Sequence, residues 1–215
     1  MLFVLASQSP ARLATLRSAG VEPLVIVSHV DEDAILDRAR AASSTLDPAP
    51  TVLELARAKC EAVIAALDDD PAALQDRPAV VVGCDSMLEI DGDIVGKPHT
   101  AQVAIERWQV MRGRSAILHT GHWMVRVDGS GQAVGAAGDT SSTVVHFADV
   151  SDAEIAAYVA TGEPLQVAGA FTIDGLGGPF IERIEGDHHG VVGLSLPLAR
   201  RLARRLGITW NELWA

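Results

Sequence analysis

Two lysines, Lys59 and Lys97, stand among fifteen arginines in a chain of 215 residues. Where nearly every position that needs only positive charge carries arginine, a lysine suits a task arginine does badly. Its ammonium is a compact, strongly hydrated point charge on a flexible stem, able to meet one phosphate oxygen where a guanidinium presents a planar fork. Both lysines are therefore candidate phosphate ligands. The segment Ser7-Gln-Ser9-Pro10-Ala11-Arg12 is a second anion-binding candidate, because it follows an apolar run and places Pro10 as the first residue of a helix. Two serine hydroxyls, the unpaired N–H groups of the helix start and Arg12 would converge there on a phosphate. A serine cap beside an exposed arginine is the plainer alternative for this segment taken alone.

Asp85 follows the apolar run Ala79 to Cys84. In open α/β sheets the carboxyl ends of strands line the ligand crevice, and a carboxylate there can hold a divalent cation or take a proton from water. An aspartate capping a turn before Ser86 is the alternative. Asp31-Glu32-Asp33 could add a second metal-facing carboxylate, since magnesium takes oxygen ligands and keeps only one or two from protein beside substrate phosphates. For two of those three acids a solvated turn is the competing assignment. His188-His189 near Asp187, and the pair His119 and His122, offer a rival metal site. Adjacent histidines on an extended segment would point to opposite faces, and no shared-face spacing such as HExxH is present. The Gly175-Leu-Gly-Gly178 stretch lacks the lysine of a phosphate-cradling loop and is expected to be a turn flanking substrate.

The elements that must hold these residues alternate. Leu2 to Ala6 is expected as a buried strand, followed by a helix to about Ala19 closed by Gly20, and a second strand over Leu24 to Val27. Ala41 to Pro50 is expected as a surface loop, and Thr51 to Leu67 as a helix carrying Lys59. The apolar strand ends at Asp85; Met87 to Ile90 then turns through Asp91-Gly92 into Ile94-Val95 as a hairpin, with Gly96-Lys97-Pro98 next. A helix over Thr100 to Met111 precedes two long strands, near Ala116 to Val127 and Val134 to Phe147, forming a protruding hairpin. Ser151 and Glu154 spell a capping box, and Leu196 to Leu206 forms a last amphipathic helix with arginines outward.

Composition bounds the function classes. With 48% hydrophobic and 21% charged residues the chain is expected to be one soluble globular unit, and a net charge of −11 leaves no overall footprint for gripping nucleic acid or an anionic membrane. A polyanionic ligand needs a local basic pocket. Cys60 and Cys84 are too few for a disulfide framework or a four-cysteine metal site, and are expected as buried small hydrophobes in a reducing cytoplasm. The opening apolar run is too short for a signal peptide and lacks a basic flank.

In order, Ser-x-Ser-Pro-x-Arg, helical Lys59, Gly-Cys-Asp85-Ser, Gly-Lys97-Pro, Met-Arg-Gly-Arg, Gly-Glu-Pro, Ala-Gly-Ala-Phe-Thr-Ile-Asp-Gly-Leu-Gly-Gly and Val-Val-Gly-Leu-Ser-Leu-Pro resemble the Maf family of nucleoside triphosphate pyrophosphatases from end to end. The resemblance implies a single domain over residues 1–215, a two-lobed α/β fold around a mixed, twisted sheet with a central cleft, similar to that of inosine triphosphate pyrophosphatases. It implies hydrolysis of a nucleoside triphosphate to the monophosphate and pyrophosphate with Mg²⁺ or Mn²⁺, in a cytoplasmic homodimer. Carried over by position, it implies Asp85 as the catalytic residue, Ser7, Ser9, Arg12, Lys59 and Lys97 as substrate ligands, and Asp85 with Glu32 at the metal. The chain departs from the familiar pattern at Ala11, where arginine is usual, and at Ser86 and Asp174, where the dTTP/UTP branch has threonine and glutamine. These three are candidate specificity positions, and the preferred base is left unassigned. Family members are also linked to inhibition of septum formation, so a nucleotide-binding regulator with little turnover is the rival class.

Overall fold

The apolar run from Ala79 does form a strand, but in the computed structural model of the protein that strand does not stop at Asp85: β3 spans Ala79–Ile90. Pairing is the reason. β5 (Ser115–Val127) runs antiparallel beside it and matches it from Ala79↔Val127 to Glu89↔Ile117, so ladder hydrogen bonds carry the backbone straight past the carboxylate. Asp85 is a mid-strand residue, not a strand-end one. The structure describes residues 1–42, 46–69, 71–74 and 77–215.

Seven strands make one open mixed sheet among the described residues. β1 (Leu2–Leu5) is parallel both to β3 and to the edge strand β2 (Leu24–Val25), which is shorter than the expected Leu24 to Val27. β3, β5, β6 (Ala133–Phe147) and β7 (Ile181–Glu185) follow as antiparallel neighbours. The expected hairpin through Asp91 and Gly92, both at positive φ, folds β4 (Asp93–Val95) back on the end of β3. The β5–β6 hairpin does not protrude. Because β5 pairs with β3 along almost its whole length, the hairpin is the middle of the sheet.

That strand arrangement creates the cleft. On one edge of β3, β1 covers Ala79 to Val82 and β4 begins only at Leu88. Between them, Gly83 to Met87 have no strand partner on that side, and the side chains around Asp85 and Ser86 face an opening. The hydrophobic core divides at the same place. Trp108, Met111, Phe147 and Tyr158 pack α4 (Ala101–Met111) and α5 (Asp152–Ala160) onto the Leu88 end of β3. Phe3, Leu5, Leu16, Leu198 and Leu202 pack α1 (Pro10–Ser18) and α7 (Leu196–Arg205) against the other end. Each such fully buried side chain contributes roughly 1.5–3 kcal/mol.

Local signals place most helices. Ser9 caps α1, Thr100 caps α4, and Ser151 with Glu154 forms the full capping box of α5. The acidic cluster is not a turn. Asp31 Oδ1 accepts from the Ala34 N–H at 3.0 Å and starts α2 (Glu32–Ala42), a helix that the sequence pattern does not announce. Since α3 (Pro48–Asp69) already begins at Pro48, the loop expected over 41–50 is shortened from both sides, and its residues 43–45 lie outside the described ones.

Candidate active site

α3 lies unusually close to the sheet. A Cβ on Gly83 would sit 2.1 Å from the Ala56 carbonyl oxygen, and one on Gly121 2.3 Å from that of Val52, so only glycine leaves room for the helix backbone. This approach brings Lys59 down onto Asp85. The Lys59 ammonium donates to Asp85 Oδ1 and lies 2.8 Å from Glu32 Oε1, while Lys59 and Asp85 are 8% and 7% exposed. One buried cation thus joins the two carboxylates that sequence placed far apart.

The environment drives those carboxylates in opposite directions. Burial pushes the Asp85 carboxyl above the ordinary aspartate range, and Glu32 adds to that effect, against the pull of Lys59 and Arg12. Burial would raise Glu32 too, but Lys59, helped by Lys97 and Arg12, outweighs it and holds the carboxyl below its ordinary range. A pair of carboxylates separated in this way suits two roles, one group that stays charged and one that can take up a proton.

Arg12 is more tightly fixed than a simple phosphate ligand. Its Nε donates to the Gly193 carbonyl at 2.8 Å, Nη1 to Ser7 Oγ at 3.0 Å and to the Cys84 carbonyl at 2.9 Å, and Nη2 to Ser86 Oγ at 3.2 Å. Four of the five N–H groups of a guanidinium are thereby engaged. Arg12 ties the loop before α1 to the unpaired edge of β3 and to the turn after α6 (His188–Val192), and offers the cleft its charge and one remaining N–H. Ser7 Oγ accepts from Arg12 and from the Ser9 N–H at 3.2 Å, leaving its own proton to donate. Ser86, next on the strand, lines the cleft as well, and besides accepting from Arg12 its Oγ meets Thr120 Oγ1 at 2.9 Å.

Lys97 is exposed at the mouth of the cleft, and its backbone is held from below. The Gly96 carbonyl accepts from the Gly169 N–H at 3.2 Å and from Arg107 Nη1 at 2.5 Å, and the His99 N–H reaches the Leu165 carbonyl at 3.0 Å. Next to Arg107, the Trp108 indole donates to the carbonyl of Ala170 at 2.7 Å. Adjacent residues of α4 therefore hold two cleft-lining segments.

Ser7, Ser9, Ala11, Arg12, Glu32, Lys59, Asp85, Ser86, Lys97 and Asp174 all line one cleft of about 1000 Å³. Sequence alone did not single out Ser28, His29, Glu163, Gln166 or Thr172, which line it as well. Gly-Glu163-Pro was legible as a motif, but nothing in it revealed which way the carboxylate turns. Asp31 caps α2 and Asp33 is exposed, so of the acidic trio only Glu32 enters the site.

His119 and His122 are held by partners within the protein. His122 makes a hydrogen bond from Nδ1 to the Thr120 carbonyl at 3.0 Å and accepts the Ser195 N–H at Nε2, whereas His119 meets Ser142 and Glu89. His188 and His189 do not lie on an extended segment: they start the short helix α6, capped by Asp187. Among the described residues no group of three or more His, Cys, Asp or Glu side chains is placed to hold a metal ion. Burial pushes the Cys60 thiol up to about 12 and Cys84 up to about 11, so both are inert apolar fillers. No helix of the described residues is long and apolar enough to cross a membrane.

Comparison with known proteins extends over the same residues. The nucleoside triphosphate pyrophosphatase of Rhodococcus jostii is 58% identical over 213 residues, covering 99% of this chain and 96% of that protein. Those of Leifsonia xyli and Streptomyces coelicolor are 54% and 52% identical over 214 and 212 residues, covering 100% and 99% of this chain and 97% and 94% of their own. A solved nucleoside-triphosphatase described as a dITP/XTP pyrophosphatase, from Mycobacterium abscessus, aligns over 95% of this chain and 94% of its own, with 13% identity and a TM-score of 0.30, too low to carry an argument. The family model described as Maf-like protein matches residues 2–206, a span that includes the whole sheet and every cleft residue named above, and the chain belongs to that family.

Proposed function

We propose that this protein hydrolyses a nucleoside triphosphate between the α- and β-phosphates, releasing the nucleoside monophosphate and pyrophosphate. The observation that carries the proposal is the buried Lys59 between Asp85 and Glu32, in a cleft that Arg12 and Lys97 also line. The three cations give a chain of net charge −11 the local basic pocket that a triphosphate requires. Kinship with relatives that share the name nucleoside triphosphate pyrophosphatase supports the same reading.

Ser7, Ser9, Lys59, Lys97 and the remaining N–H of Arg12 bind and orient the phosphate oxygens. As the triphosphate engages Lys59, Asp85 gives up part of its ion pair and, in its buried position, becomes a better base for the attacking water. A divalent cation fits the donor set. Two carboxylates converge on a single positive charge here, and magnesium commonly takes one or two carboxylates with the rest of its ligands from water and phosphate. Asp85 and Glu32 would hold Mg²⁺ or Mn²⁺, which when bound supplies charge neutralisation at the phosphates.

We also infer a single domain over residues 1–215, working as a cytoplasmic homodimer on free nucleotides and on neither nucleic acid nor membrane. Incubation of the purified protein with a panel of nucleoside triphosphates and Mg²⁺ or Mn²⁺, with product identification, is the test. Monophosphate and pyrophosphate are expected. Diphosphate and orthophosphate would overturn the site of cleavage, and tight nucleotide binding without turnover would favour a regulator of septum formation instead.

A further inference from the structure

Glu163 lines the cleft, yet the hydrolysis proposed above gives it no task. Its carboxylate is surrounded by donors. Oε1 accepts from the Tyr158 hydroxyl at 3.1 Å, the Thr172 hydroxyl at 2.5 Å and the Gly177 N–H at 3.1 Å, and Oε2 accepts from the Leu176 N–H at 3.1 Å. Four donors and, among the described residues, no paired cation define a site built for an ionised carboxylate. Burial works to raise the Glu163 pKa, and these donors outweigh it and hold the carboxyl below its ordinary range.

The loop that supplies three of the donors is shaped to the carboxylate. A Cβ on Gly175 would lie 2.7 Å from Glu163 Oε2, and one on Gly177 2.6 Å from both the Tyr158 hydroxyl and the Thr172 carbonyl. The same loop puts Thr172, Ile173, Asp174 and Gly175 on the cleft wall. No cation stands among the lining residues from Gln166 to Gly175, whereas Lys59 sits between Asp85 and Glu32, and Lys97 follows Gly96, whose carbonyl takes the Gly169 N–H. The wall from Gln166 to Gly175 is thus uncharged apart from Asp174, and its Val167, Phe171 and Ile173 suit the flat, largely apolar body of a base.

We infer that Glu163 is a positioning residue for nucleoside recognition: its carboxylate is the template on which residues 172–177 are wrapped, and it thereby sets the wall that the base meets. The inference rests on the nucleotide reading of the cleft. It is separable from catalysis, because Glu163 touches neither Asp85 nor Lys59 in the hydrogen bonds and ion pairs of the described residues.

Glu163→Gln tests it, because the amide places an NH₂ group against donors and cannot satisfy all four. The expected result is a rise in KM for the preferred nucleoside triphosphate of about tenfold or more, with a smaller change in kcat and a flatter ranking of bases. Inhibition by inorganic tripolyphosphate, which has no base, should stay within about twofold of the native value, since Arg12, Lys59 and Lys97 are unchanged. Glu163→Asp, which keeps the charge, should recover part of the lost discrimination. Native KM and base ranking in the Gln variant would overturn the inference, as would a parallel loss of tripolyphosphate binding, which marks a general structural role. If Glu163→Gln fails to fold, Gly175→Ala carries the same measurement, because its Cβ displaces the carboxylate directly; an unchanged base ranking there overturns the inference equally. Failure of the native protein to release pyrophosphate from any nucleotide sinks the hydrolase reading itself, a result distinct from each of these.

Discussion

Asp85 stands directly across the β3–β5 ladder from Gly121, and the missing side chain of that glycine is what lets α3 reach the carboxylate. Gly83, two residues before Asp85 and on the same face, does the same one turn further along the helix. Both would-be Cβ atoms meet helix carbonyls, and a backbone atom cannot rotate out of the way. The sheet and helix are thus held at the separation at which the Lys59 side chain can join Asp85 to Glu32.

Gly83→Ala and Gly121→Ala are accordingly expected to lower stability by about 1–3 kcal/mol through overpacking. Pyrophosphate release should fall further than stability at assay temperature accounts for, because α3 carries Lys59 away as it shifts. Urea midpoints and initial rates on the folded fraction measure the two effects separately, and native rates in both variants would refute the positioning argument.

Asp85→Asn is expected to fold and to lose nearly all hydrolysis. The amide keeps the shape and loses both the negative charge and the basicity that water activation requires. Burial disfavours the ionised aspartate, so removal of its charge should not cost stability at neutral pH, and Lys59 keeps Glu32 as a partner. A thermal melt with a pyrophosphate assay is sufficient; native-like turnover would remove Asp85 from the mechanism.

Lys59→Arg and Lys97→Arg should each reduce kcat/KM by about tenfold or more, the equivalent of one charge-assisted contact at roughly 1.5–3 kcal/mol. The reasons differ. Lys59 is enclosed, and a guanidinium has no room between two carboxylates already in contact with an ammonium. Lys97 is exposed, so there the reach of a single point charge is at stake. Arg204→Lys on the outer face of α7 should be neutral, and full activity in both lysine variants would leave no special role for either.

How much of this was legible in the sequence depends on whether the signal was local. Ser9 and Ser151 announced their helices because capping involves residues three apart. The local pattern ends β3 at Asp85, whereas β5, some thirty residues on, carries the strand through it, and no local pattern reports a partner strand. α2 has only two large apolar residues, Ile35 and Leu36, to mark its buried face, and its start is an acidic cluster that also fits a turn. The cleft residues were found by type and by family pattern, whereas the roles of Gly83, Gly121, Arg107 and Glu163 depend on contacts far along the chain.

His122 should make stability depend on pH. It is fully buried, its Nε2 accepts the Ser195 N–H at 2.8 Å, and burial pulls its pKa down to about 4 from an ordinary 6.5. Between those values the unfolded chain binds a proton that the folded one refuses, so stability is full above about pH 6.5 and is lost as pH falls toward 4. At about 1.4 kcal/mol per pKa unit, the His122 share is on the order of 3 kcal/mol. Urea unfolding from pH 4 to 7 should show that slope flattened in His122→Gln, and an unchanged slope would place the proton uptake elsewhere.

Asp174 is exposed on the cleft wall, on the loop that Glu163 shapes, at the position where the resemblance implies glutamine for the dTTP/UTP branch. Glutamine both donates and accepts hydrogen bonds, whereas an ionised aspartate only accepts. If the side chain meets the base edge, it repels carbonyl oxygens and favours N–H groups, such as the exocyclic amine of cytosine or the N–H edge of guanine. The expected native ranking by kcat/KM therefore places CTP or GTP above UTP and dTTP. In Asp174→Gln the ranking should move toward UTP and dTTP by about tenfold, the equivalent of roughly one hydrogen bond gained with their carbonyl edge. The native protein and the variant, assayed on all four nucleotides at one metal concentration, give the answer. A uniform change in rate with the ranking preserved would put Asp174 near the phosphates, where its charge would act on every nucleotide alike.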